Sequence, residues 1–500
     1  MDNTVKATLL AQVYDVAVET PLDLAGKMSA QPGCDVYLKR EDLQPVHSFK
    51  LRGAYNKMAQ LSAAERAQGV IAASAGNHAQ GVALAAKHLG ISALIVMPRT
   101  TPSIKIEAVQ SLGAQVELSG DSYSDAAEHC KQRQKETGRT YIHPFDDPLV
   151  IAGQGTVGRE IMEQLPEVTH IFVPVGGGGL IAGIAQYVKA LRPDIKIISV
   201  EPADSNVLQL SLRAGKRLTL PHVGIFADGV AVKQMGEHTF RICRELVDDA
   251  ITVDNDEICA GIKAIFEETR SIMEPAGALG AAGIPAYAQT HNLHGARAVA
   301  ICSGANLTFE RLQFIAERTL LGSGKEALFA VTLREEPHAL QHLCKQVMDD
   351  RNITQFGYRL NKREAAHIFL GVTVGGTADK QAFAQKLQNS GYAWRDLSGE
   401  DTAKEHIRHM IGGPSPLAQH EHMYSINFPE RPGALTDFLV AVGGQWNISL
   451  FHYRGQGGDT GNVLIGFEAP NKGELETALR RAGYEYLPVD NDSSLQLFAS

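Results

Sequence analysis

The stretch HIFVPVGGGGLIAG, residues 170–183, combines a short apolar run, four consecutive glycines and the start of a helical pattern. This order is typical of a buried strand, a tight turn and a helix. Further apolar runs precede periodic segments in the same way: GVIAAS (69–74), ALIVMP (93–98), AQVELSG (114–120), IKIISVEP (195–202), DAITVDN (249–255) and ARAVAICSG (296–304). This alternation, from about residue 36 to 320, predicts an α/β fold with a mainly parallel sheet.

The composition excludes several classes of protein. The chain has 500 residues, of which 44% are hydrophobic and 21% charged, and its net charge is -9. No basic stripe is present, so we expect no nucleic-acid partner. No secretory leader or run of about 20 apolar residues occurs, so we expect no membrane association and a cytoplasmic protein. The six cysteines form no C-x-x-C pair, which favours buried free thiols over disulfides or zinc.

The part of the chain beyond about residue 320 contains an internal repeat. EEPHAL (335–340) aligns with ERPGAL (430–435), and RNITQFGYR (351–359) aligns with WNISLFHYR (446–454), a shift of 95 residues. Each copy predicts strand, helix, strand, strand and helix, which makes a small α+β module. We therefore expect modules at 321–400 and 401–500 after an α/β part at 1–320. The duplication alone leaves a purely structural or oligomerising role open.

Lys50 lies between Phe49 and Leu51 in VHSFKLRGAYN (46–56), at the predicted start of a helix. Most lysines extend from a helix face into solvent. A lysine beside an aromatic ring and a buried turn loses its proton more readily, and a neutral amine forms a Schiff base with an aldehyde. Both interpretations remain open from this stretch alone.

Two glycine-containing turns are candidates for binding anionic groups. SAGNHAQG (74–81) opens a predicted helix, whose start favours a carboxylate, although a plain capping turn fits equally well. The run Gly176–Gly179 predicts a backbone that approaches a ligand closely, and a phosphate monoester fits better than a triphosphate because no G-K-[ST] follows. A tight packing turn is the alternative.

Two further motifs each have more than one interpretation. GQGTVG (153–158) matches G-x-G-x-x-G, but no convincing strand precedes it and no acidic residue follows at the required distance, so we reject a dinucleotide site. Ser303, in ICSGAN (301–306), is either the N-cap of the next helix or a hydroxyl that bonds a ring nitrogen.

Together, a Schiff-base lysine, a phosphate cradle, a carboxylate-binding helix start and a hydroxyl for a pyridine nitrogen describe a pyridoxal 5'-phosphate site. SFKLRGAYN, SAGNHAQG, GGGGL and SGAN resemble the motifs of the fold-type II (tryptophan synthase β-like) enzymes, and within them the biosynthetic threonine ammonia-lyases, also called threonine deaminases or dehydratases. The resemblance covers nearly the whole chain. It implies a catalytic part with a small subdomain of about residues 41–145 inserted in a larger one.

The resemblance also assigns residues. It implies that Lys50 holds the cofactor and acts as the catalytic base, with Phe49 near the ring. The remaining implied contacts are Asn77 at the 3'-oxygen, Gly176, Gly177, Gly178, Gly179 and Leu180 at the phosphate, Ser303 at the ring nitrogen, and Ser74, Gly76 and His78 at the substrate carboxylate.

The implied reaction is β-elimination of L-threonine to 2-oxobutanoate and ammonia, the first committed step of isoleucine biosynthesis. A neutral hydroxyl at Ser303 leaves a weaker electron sink than a carboxylate, which favours prompt β-loss. Racemising relatives carry a hydroxyl where this chain has Ala75. Relatives that bind a divalent ion use carboxylates after a Glu-Pro pair, and here Ser205 and Val207 stand after Glu201, so we expect no metal. A broader serine/threonine dehydratase, a β-replacement synthase and a non-catalytic amino-acid sensor remain alternatives.

The paired modules resemble ACT-like regulatory domains that bind isoleucine as an inhibitor and valine as an antagonist. The candidate effector residues are the repeated Asn352, Phe356, Tyr358, Asn447, Phe451 and Tyr453, although their alternation fits a structural strand equally well. The family implies a homotetramer.

Overall fold

The computed structural model describes most of the chain. The described residues are 3–30, 32–120, 122–224, 226–309, 311–334, 338–348, 351–360, 366–400, 403–404, 407–410, 415, 417–429, 433–442, 444–454, 460–484 and 486–489. The chain divides into two compact units, Met1–Thr319 and Leu320–Ser500. None of the helices in these ranges combines the length and apolar content that a membrane crossing requires.

The first unit contains two sheets. Its strands are β1 Leu22–Leu24, β2 Asp35–Lys39, β3 Val70–Ala73, β4 Ala93–Met97, β5 Gln115–Leu118, β6 Thr140–Tyr141, β7 His170–Pro174, β8 Lys196–Pro202, β9 Asp249–Val253 and β10 Arg297–Ile301. The larger sheet has the order β1-β2-β10-β7-β8-β9 and is parallel apart from the β1–β2 pair. The smaller sheet, β5-β4-β3-β6, is entirely parallel. The predicted α/β fold is confirmed.

Helices surround both sheets. They are α1 Asn3–Leu9, α2 Gly26–Ser29, α3 Lys50–Ala59, α4 Ala63–Gln68, α5 Asn77–Leu89, α6 Ser103–Ser111, α7 Tyr123–Thr137, α8 Pro148–Gln164, α9 Gly179–Leu191, α10 Val207–Ala214, α11 Glu237–Leu246, α12 Asn255–Thr269, α13 Pro275–Ala288 and α14 Arg311–Gly322. The smaller sheet lies, in chain order, between β2 and β7 of the larger one. The proposed subdomain of about residues 41–145 contains all four of its strands.

The G-x-G-x-x-G sequence lies inside α8, so it forms no dinucleotide-binding turn and its rejection is correct. Its glycines allow helices to approach one another. A Cβ at Gly153 would lie 2.8 Å from Cα of Gly53 in α3, and a Cβ at Gly155 would lie 3.0 Å from the carbonyl oxygen of Gly183 in α9. The motif therefore serves helix packing next to the start of α3.

A fully buried charge cluster fixes α3 to the larger sheet. The Arg52 guanidinium contacts Glu41 at 2.8 Å and Glu160 at 2.6 Å, and Lys39 Nζ lies 2.7 Å from Glu160. Two cations face two carboxylates, so the cluster is balanced. The hydroxyls of Thr20 and Tyr14 also donate to these carboxylates, at 2.6 and 2.9 Å. Such complete pairing is what makes buried charges tolerable.

The second unit is one antiparallel sheet with helices. Its strands are β11 Glu326–Leu333, β12 Ile353–Arg359, β13 Ala366–Thr373, β14 Ala393–Asp396, β15 Glu421–Pro429, β16 Asn447–Arg454, β17 Thr460–Glu468 and β18 Tyr486–Pro488. Their order is β14-β11-β13-β12-β16-β17-β15-β18. The helices are α15 Ala339–Leu343, which a π-helical turn at Cys344–Met348 extends, α16 Thr377–Asn389, α17 Ala434–Val442 and α18 Lys472–Ala482.

The two repeats join through their equivalent strands. β12 pairs antiparallel with β16, so that Phe356 faces Tyr453 and Tyr358 faces Phe451. The rings of Phe356 and Phe451 lie 5.1 Å apart in a T-shaped contact. The repeated aromatic residues therefore meet at the seam between the copies. The segments EEP (335–337) and ERP (430–432) of the repeat lie outside the described residues.

Candidate active site and regulatory cavities

The predicted site segments follow the carboxyl ends of parallel strands in the first unit. Ser74 follows β3, Gly176 follows β7 and Ser303 follows β10. The Lys50 segment joins them, because the Phe49 N–H donates to the Ser303 carbonyl at 3.3 Å and Ser48 forms a β-bridge with Gly304. Ligands of open α/β sheets bind at this end of the strands.

Lys50 is the first residue of α3 and is partly buried. Its Nζ donates to the Pro144 carbonyl at 3.2 Å and lies 5.3 Å from the centre of the Phe49 ring. Burial lowers the pKa of the ammonium to about 8, against an opposing effect of the Glu274 carboxylate. The amino end of a helix also disfavours a cation. The amine is therefore available in its neutral form near pH 8.

The SAGN turn opens α5 at Asn77. The Gly76 N–H donates to Ser74 Oγ at 3.3 Å, and no side chain in the described part of the chain caps the start of this helix. A Cβ at Gly76 would meet no heavy atom within 4 Å, so the turn faces open space. Free backbone N–H groups at such a position suit a carboxylate.

His78 is buried one residue further along α5. Burial and the charge of Lys50 lower its pKa to about 3, so the ring is neutral. Its Nε2 lies 2.8 Å from the Ile142 carbonyl, which requires the N–H of the neutral ring on this nitrogen. Nδ1 is then an acceptor. Donation from Nε2 to a substrate carboxylate would have to replace the bond to Ile142.

The glycine run forms the turn between β7 and α9. Gly178 has a φ of 90°, and α9 begins at Gly179. A Cβ at Gly177 would lie 2.2 Å from Phe145, and a Cβ at Gly176 would lie 2.8 Å from Val230, so both glycines are required by packing. Packing alone therefore accounts for glycine at these two positions, and a contact of their backbone with a phosphate stays a prediction. The amino end of the 13-residue α9 still offers N–H groups for a phosphate.

Ser303 is buried, and its hydroxyl lies 3.4 Å from the Ala276 carbonyl. The alternative role as an N-cap is wrong, because the next helix, α14, begins only at Arg311. A contact of 3.4 Å is long for a hydroxyl donor. The hydroxyl therefore keeps most of its capacity for a better partner.

Glu274 is a site residue that the sequence motifs did not reveal. It is buried immediately before α13, and its Oε1 accepts from Asn77 Nδ2 at 2.6 Å. Burial and the charge of Asp228 raise the pKa of its carboxyl to about 7. Glu274 precedes Pro275 at a helix start, a common capping position that gives no signal for a partner far away in the sequence.

The segment 142–147 was also missed, although it touches most parts of the site. Pro144 accepts from Lys50, and the Phe145 ring packs on the glycine run. Asp146 accepts from the first N–H groups of α11 at 2.8 to 3.1 Å, and Asp147 caps α8. These roles come from tertiary contacts, which local sequence patterns do not contain.

Among the described residues of the second unit, two cavities lie at the seam between the repeats. One is lined by Asn352, Phe451 and Tyr453, and the other by Asn447 and Tyr358. Phe356, the sixth candidate, lies on β12 and is fully buried where this strand pairs with β16. The equivalent positions 351 and 446 differ, since Arg351 lines the first cavity and Trp446 the second. The cavities are related by the repeat but have different chemistry.

Within the described residues, no group of three or more His, Cys, Asp or Glu side chains is placed so that it could hold a metal ion. Glu201 instead accepts the backbone N–H groups of Leu208 and Gln209, each at 2.7 Å, at the start of α10. All six cysteines are buried free thiols, as predicted.

Comparison with known proteins finds matches over nearly the whole chain. The family model of pyridoxal-phosphate dependent enzymes matches residues 13–304, and that of the C-terminal regulatory domain of threonine dehydratase matches residues 317–407 and 415–499. The biosynthetic L-threonine dehydratase of Burkholderia multivorans is 50% identical over 501 residues, covering 99% of both chains. That of Escherichia coli is 46% identical over 495 residues, covering 99% of this chain and 96% of its own.

Solved structures are similar to about two thirds of the chain. The processed threonine deaminase isoform 2 of Solanum lycopersicum is 50% identical, with a TM-score of 0.63, and covers 64% of this chain and 88% of its own. Maize serine racemase is 36% identical, with a TM-score of 0.60, and covers 64% and 97%. The chain belongs to the fold-type II pyridoxal-phosphate-dependent enzymes and, among them, to the biosynthetic threonine dehydratases.

Proposed function

We propose that this protein eliminates the β-hydroxyl and the amino group of L-threonine to give 2-oxobutanoate and ammonia, at the first committed step of isoleucine biosynthesis. The observation that carries the proposal is the Lys50 amine, whose pKa is lowered to about 8 where the segments of Ser303 and Pro144 meet. Full-length similarity to enzymes named threonine dehydratases supports the choice of substrate.

The residues present fit pyridoxal phosphate. Lys50 would bind its aldehyde carbon, the start of α9 its phosphate, Asn77 its ring oxygen and Ser303 its ring nitrogen, with Phe49 beside the ring. Two structural features support this fit. The Ser303 hydroxyl makes a long hydrogen bond, of 3.4 Å, which a closer partner can replace, and the glycine turn ends at Gly179, the first residue of α9. When bound, the cofactor supplies an electrophilic carbon for amines and a conjugated ring that spreads negative charge from the substrate Cα.

Lys50 would remove the proton from the substrate Cα. A base works best when its pKa lies near the working pH, and a pKa of about 8 meets this condition better than the usual value of about 10.4. The Pro144 carbonyl holds the amine in place. Burial therefore lowers the pKa of the Lys50 amine, and the hydrogen bond to the Pro144 backbone fixes where the amine lies.

Ser74, Gly76 and the start of α5 would bind the substrate carboxylate, since this turn faces open space and offers free N–H groups. Ala75 in the same turn cannot return a proton to Cα. Because Ser303 is neutral, charge at Cα is stabilised less than by a carboxylate at that position, which favours loss of the β-hydroxyl over racemisation.

The second unit would bind isoleucine as an inhibitor and valine as an antagonist in the two cavities at the repeat seam. Both ligands are small apolar amino acids, and each cavity combines aromatic or aliphatic walls with an asparagine. Control of this kind requires that an effector bind two conformations unequally. We further propose a cytoplasmic homotetramer.

The test is release of 2-oxo acid from threonine by the full chain, with and without isoleucine, for the wild type and Lys50→Ala. We expect activity that isoleucine suppresses in the wild type and none in the variant. Serine as a second substrate would indicate a broader dehydratase. Product formation from sulfide and an activated serine, without oxo acid from threonine, would instead favour a β-replacement synthase and contradict the proposal.

A further inference from the structure

A directional chain of hydrogen bonds fixes the side-chain amide of Asn77. Its Nδ2 donates to Glu274 Oε1 at 2.6 Å, and its Oδ1 accepts from Asn306 Nδ2, also at 2.6 Å. Asn306 Nδ2 donates in addition to the Val46 carbonyl at 2.9 Å. The two ends of the chain, a carbonyl and a carboxylate, are both acceptors, so turning either amide around would place two acceptors together.

Glu274 is built into this position. It is buried, and a Cβ at Gly304 would lie only 2.6 Å from its Oε1, so the glycine of the SGAN motif leaves the room that the carboxylate needs. The backbone joins the same residues, since the Glu274 N–H donates to the Gly304 carbonyl at 3.2 Å. Glu274 therefore packs against the SGAN segment through its side chain and is bonded to it through its backbone.

We propose that Glu274 is a positioning residue that holds the Asn77 amide so that its second N–H is presented to the ring oxygen of the bound cofactor. This inference rests on the proposed cofactor contact of Asn77. An asparagine amide has two N–H groups, and Glu274 uses one of them. Removal of the carboxylate leaves the amide held at Oδ1 by Asn306 alone, so the direction of the second N–H is fixed less well.

The proposed role requires the ionised form of Glu274. Only the ionised carboxylate is a pure acceptor, and burial together with Asp228 raises its pKa to about 7, while Lys105 and the hydrogen bond from Asn77 oppose the rise. Lys105 and Asp228 themselves form an ion pair at 3.1 Å, and Lys50 faces Glu274 from α3. Protonation would let the carboxyl donate and would relax the direction of the chain.

The test is a double-mutant cycle on the cofactor-loaded full chain with Asn77→Ala, Glu274→Ala and the double variant. The measurements are the rate of pyridoxal phosphate release on dilution, the absorption maximum of the bound cofactor and Tm. We expect each single variant to release the cofactor roughly tenfold faster, as for a lost hydrogen bond to a charged group. The double variant should behave like Asn77→Ala alone.

A matched cycle uses Glu201→Gln, since Glu201 is a buried carboxylate with backbone partners outside this chain of bonds. The fold-changes in the rate of cofactor release that Glu201→Gln and Asn77→Ala cause separately should multiply in the double variant. If Glu274→Ala does not fold, Glu274→Gln replaces it, and its smaller effect should likewise vanish in the Asn77→Ala background.

Multiplication in the Glu274 cycle, or unchanged release and absorption in Glu274→Ala, would overturn the inference, because Glu274 would then act by another route or only on stability. Threonine turnover by the wild type is measured separately. Its absence would remove the proposed function, whereas the cycle on cofactor release would still report on Glu274.

Discussion

The Nζ atom of Lys50 lies 3.2 Å from the carbonyl oxygen of Pro144, and the next residue, Phe145, packs on the glycine run. One short segment therefore positions both the amine and the proposed phosphate turn. A change in that segment should affect both groups together.

The titration of Lys50 gives a first prediction. In cofactor-free protein, acetylation of Lys50 should rise with pH around a midpoint near 8, because the neutral amine reacts and burial lowers the pKa. Glu274→Gln should move the midpoint lower, since the carboxylate raises this pKa. Quantitative mass spectrometry of the Lys50 peptide measures both shifts. A midpoint near the ordinary value of about 10.4 would contradict the burial argument.

The same shift predicts a pH dependence of stability. Between about pH 8 and the unfolded value of about 10.4, the unfolded chain binds more protons at Lys50 than the native chain does. The free energy of unfolding of cofactor-free protein should therefore gain a rising contribution across this window, which Lys50→Met removes. Urea unfolding at several pH values, with the two proteins compared, measures the difference. Equal slopes would count against the lowered pKa.

The buried charge cluster predicts a large effect of single substitutions. Arg52→Met leaves Glu41 and Glu160 without their shared partner, which should lower the free energy of unfolding by about 3–5 kcal/mol. The partly exposed pair Arg159–Glu163 on α8 provides the control, and Arg159→Met should cost less than about 1 kcal/mol. Urea unfolding compares the two, and equal costs would show that the cluster contributes little.

The glycine run predicts a compensating pair of substitutions. Gly177→Ala places a methyl group 2.2 Å from Phe145, so it should displace this ring and weaken cofactor binding. Phe145→Ala in the same chain makes room for the methyl group and should restore part of the binding. Equilibrium dialysis of the cofactor compares the wild type, Gly177→Ala and the double variant. Loss in Gly177→Ala with no recovery in the double variant would mean that the methyl group meets the cofactor itself.

The two cavities predict separable regulation. Tyr453→Ala alters the cavity that contains Arg351, and Tyr358→Ala alters the one that contains Trp446. Because the cavities differ at these equivalent positions, we expect one variant to raise the inhibitory concentration of isoleucine at least tenfold and the other to change it less. Threonine turnover without effector should stay unchanged in both. Equal shifts would show that the cavities act alike.

Much of this fold was predictable because apolar runs and helix periodicity are local signals. All seven predicted strands of the first unit are present, and so are the three predicted strands of each repeat. β1, β2, β14 and β18 were missed. β2 has five residues, and the charged Asp35 and Lys39 at its two ends leave an apolar run of only three positions. β1, β14 and β18 are edge strands of three or four residues with exposed positions, which leaves almost no apolar pattern. β6, with two residues, is shorter still.

The candidate site was predictable only where its residues lie in short motifs. Lys50, Asn77 and Ser303 stand in recognisable turns, and the fold brings those turns together. Glu274 lies 197 positions from its partner Asn77, and Phe145 contacts the glycine run through packing alone. The identities of such partners depend on tertiary structure.

The β12–β16 pairing also limits how the second unit can be shortened. A protein cut after the first repeat would leave the backbone donors and acceptors of β12 uncovered beside Phe356 and Tyr358, and an open edge of this kind recruits other strands. Removal of both repeats removes β12 and β16 together, so no uncovered edge remains. We therefore expect deletion of both repeats to be tolerated and deletion of the second repeat alone to cause aggregation.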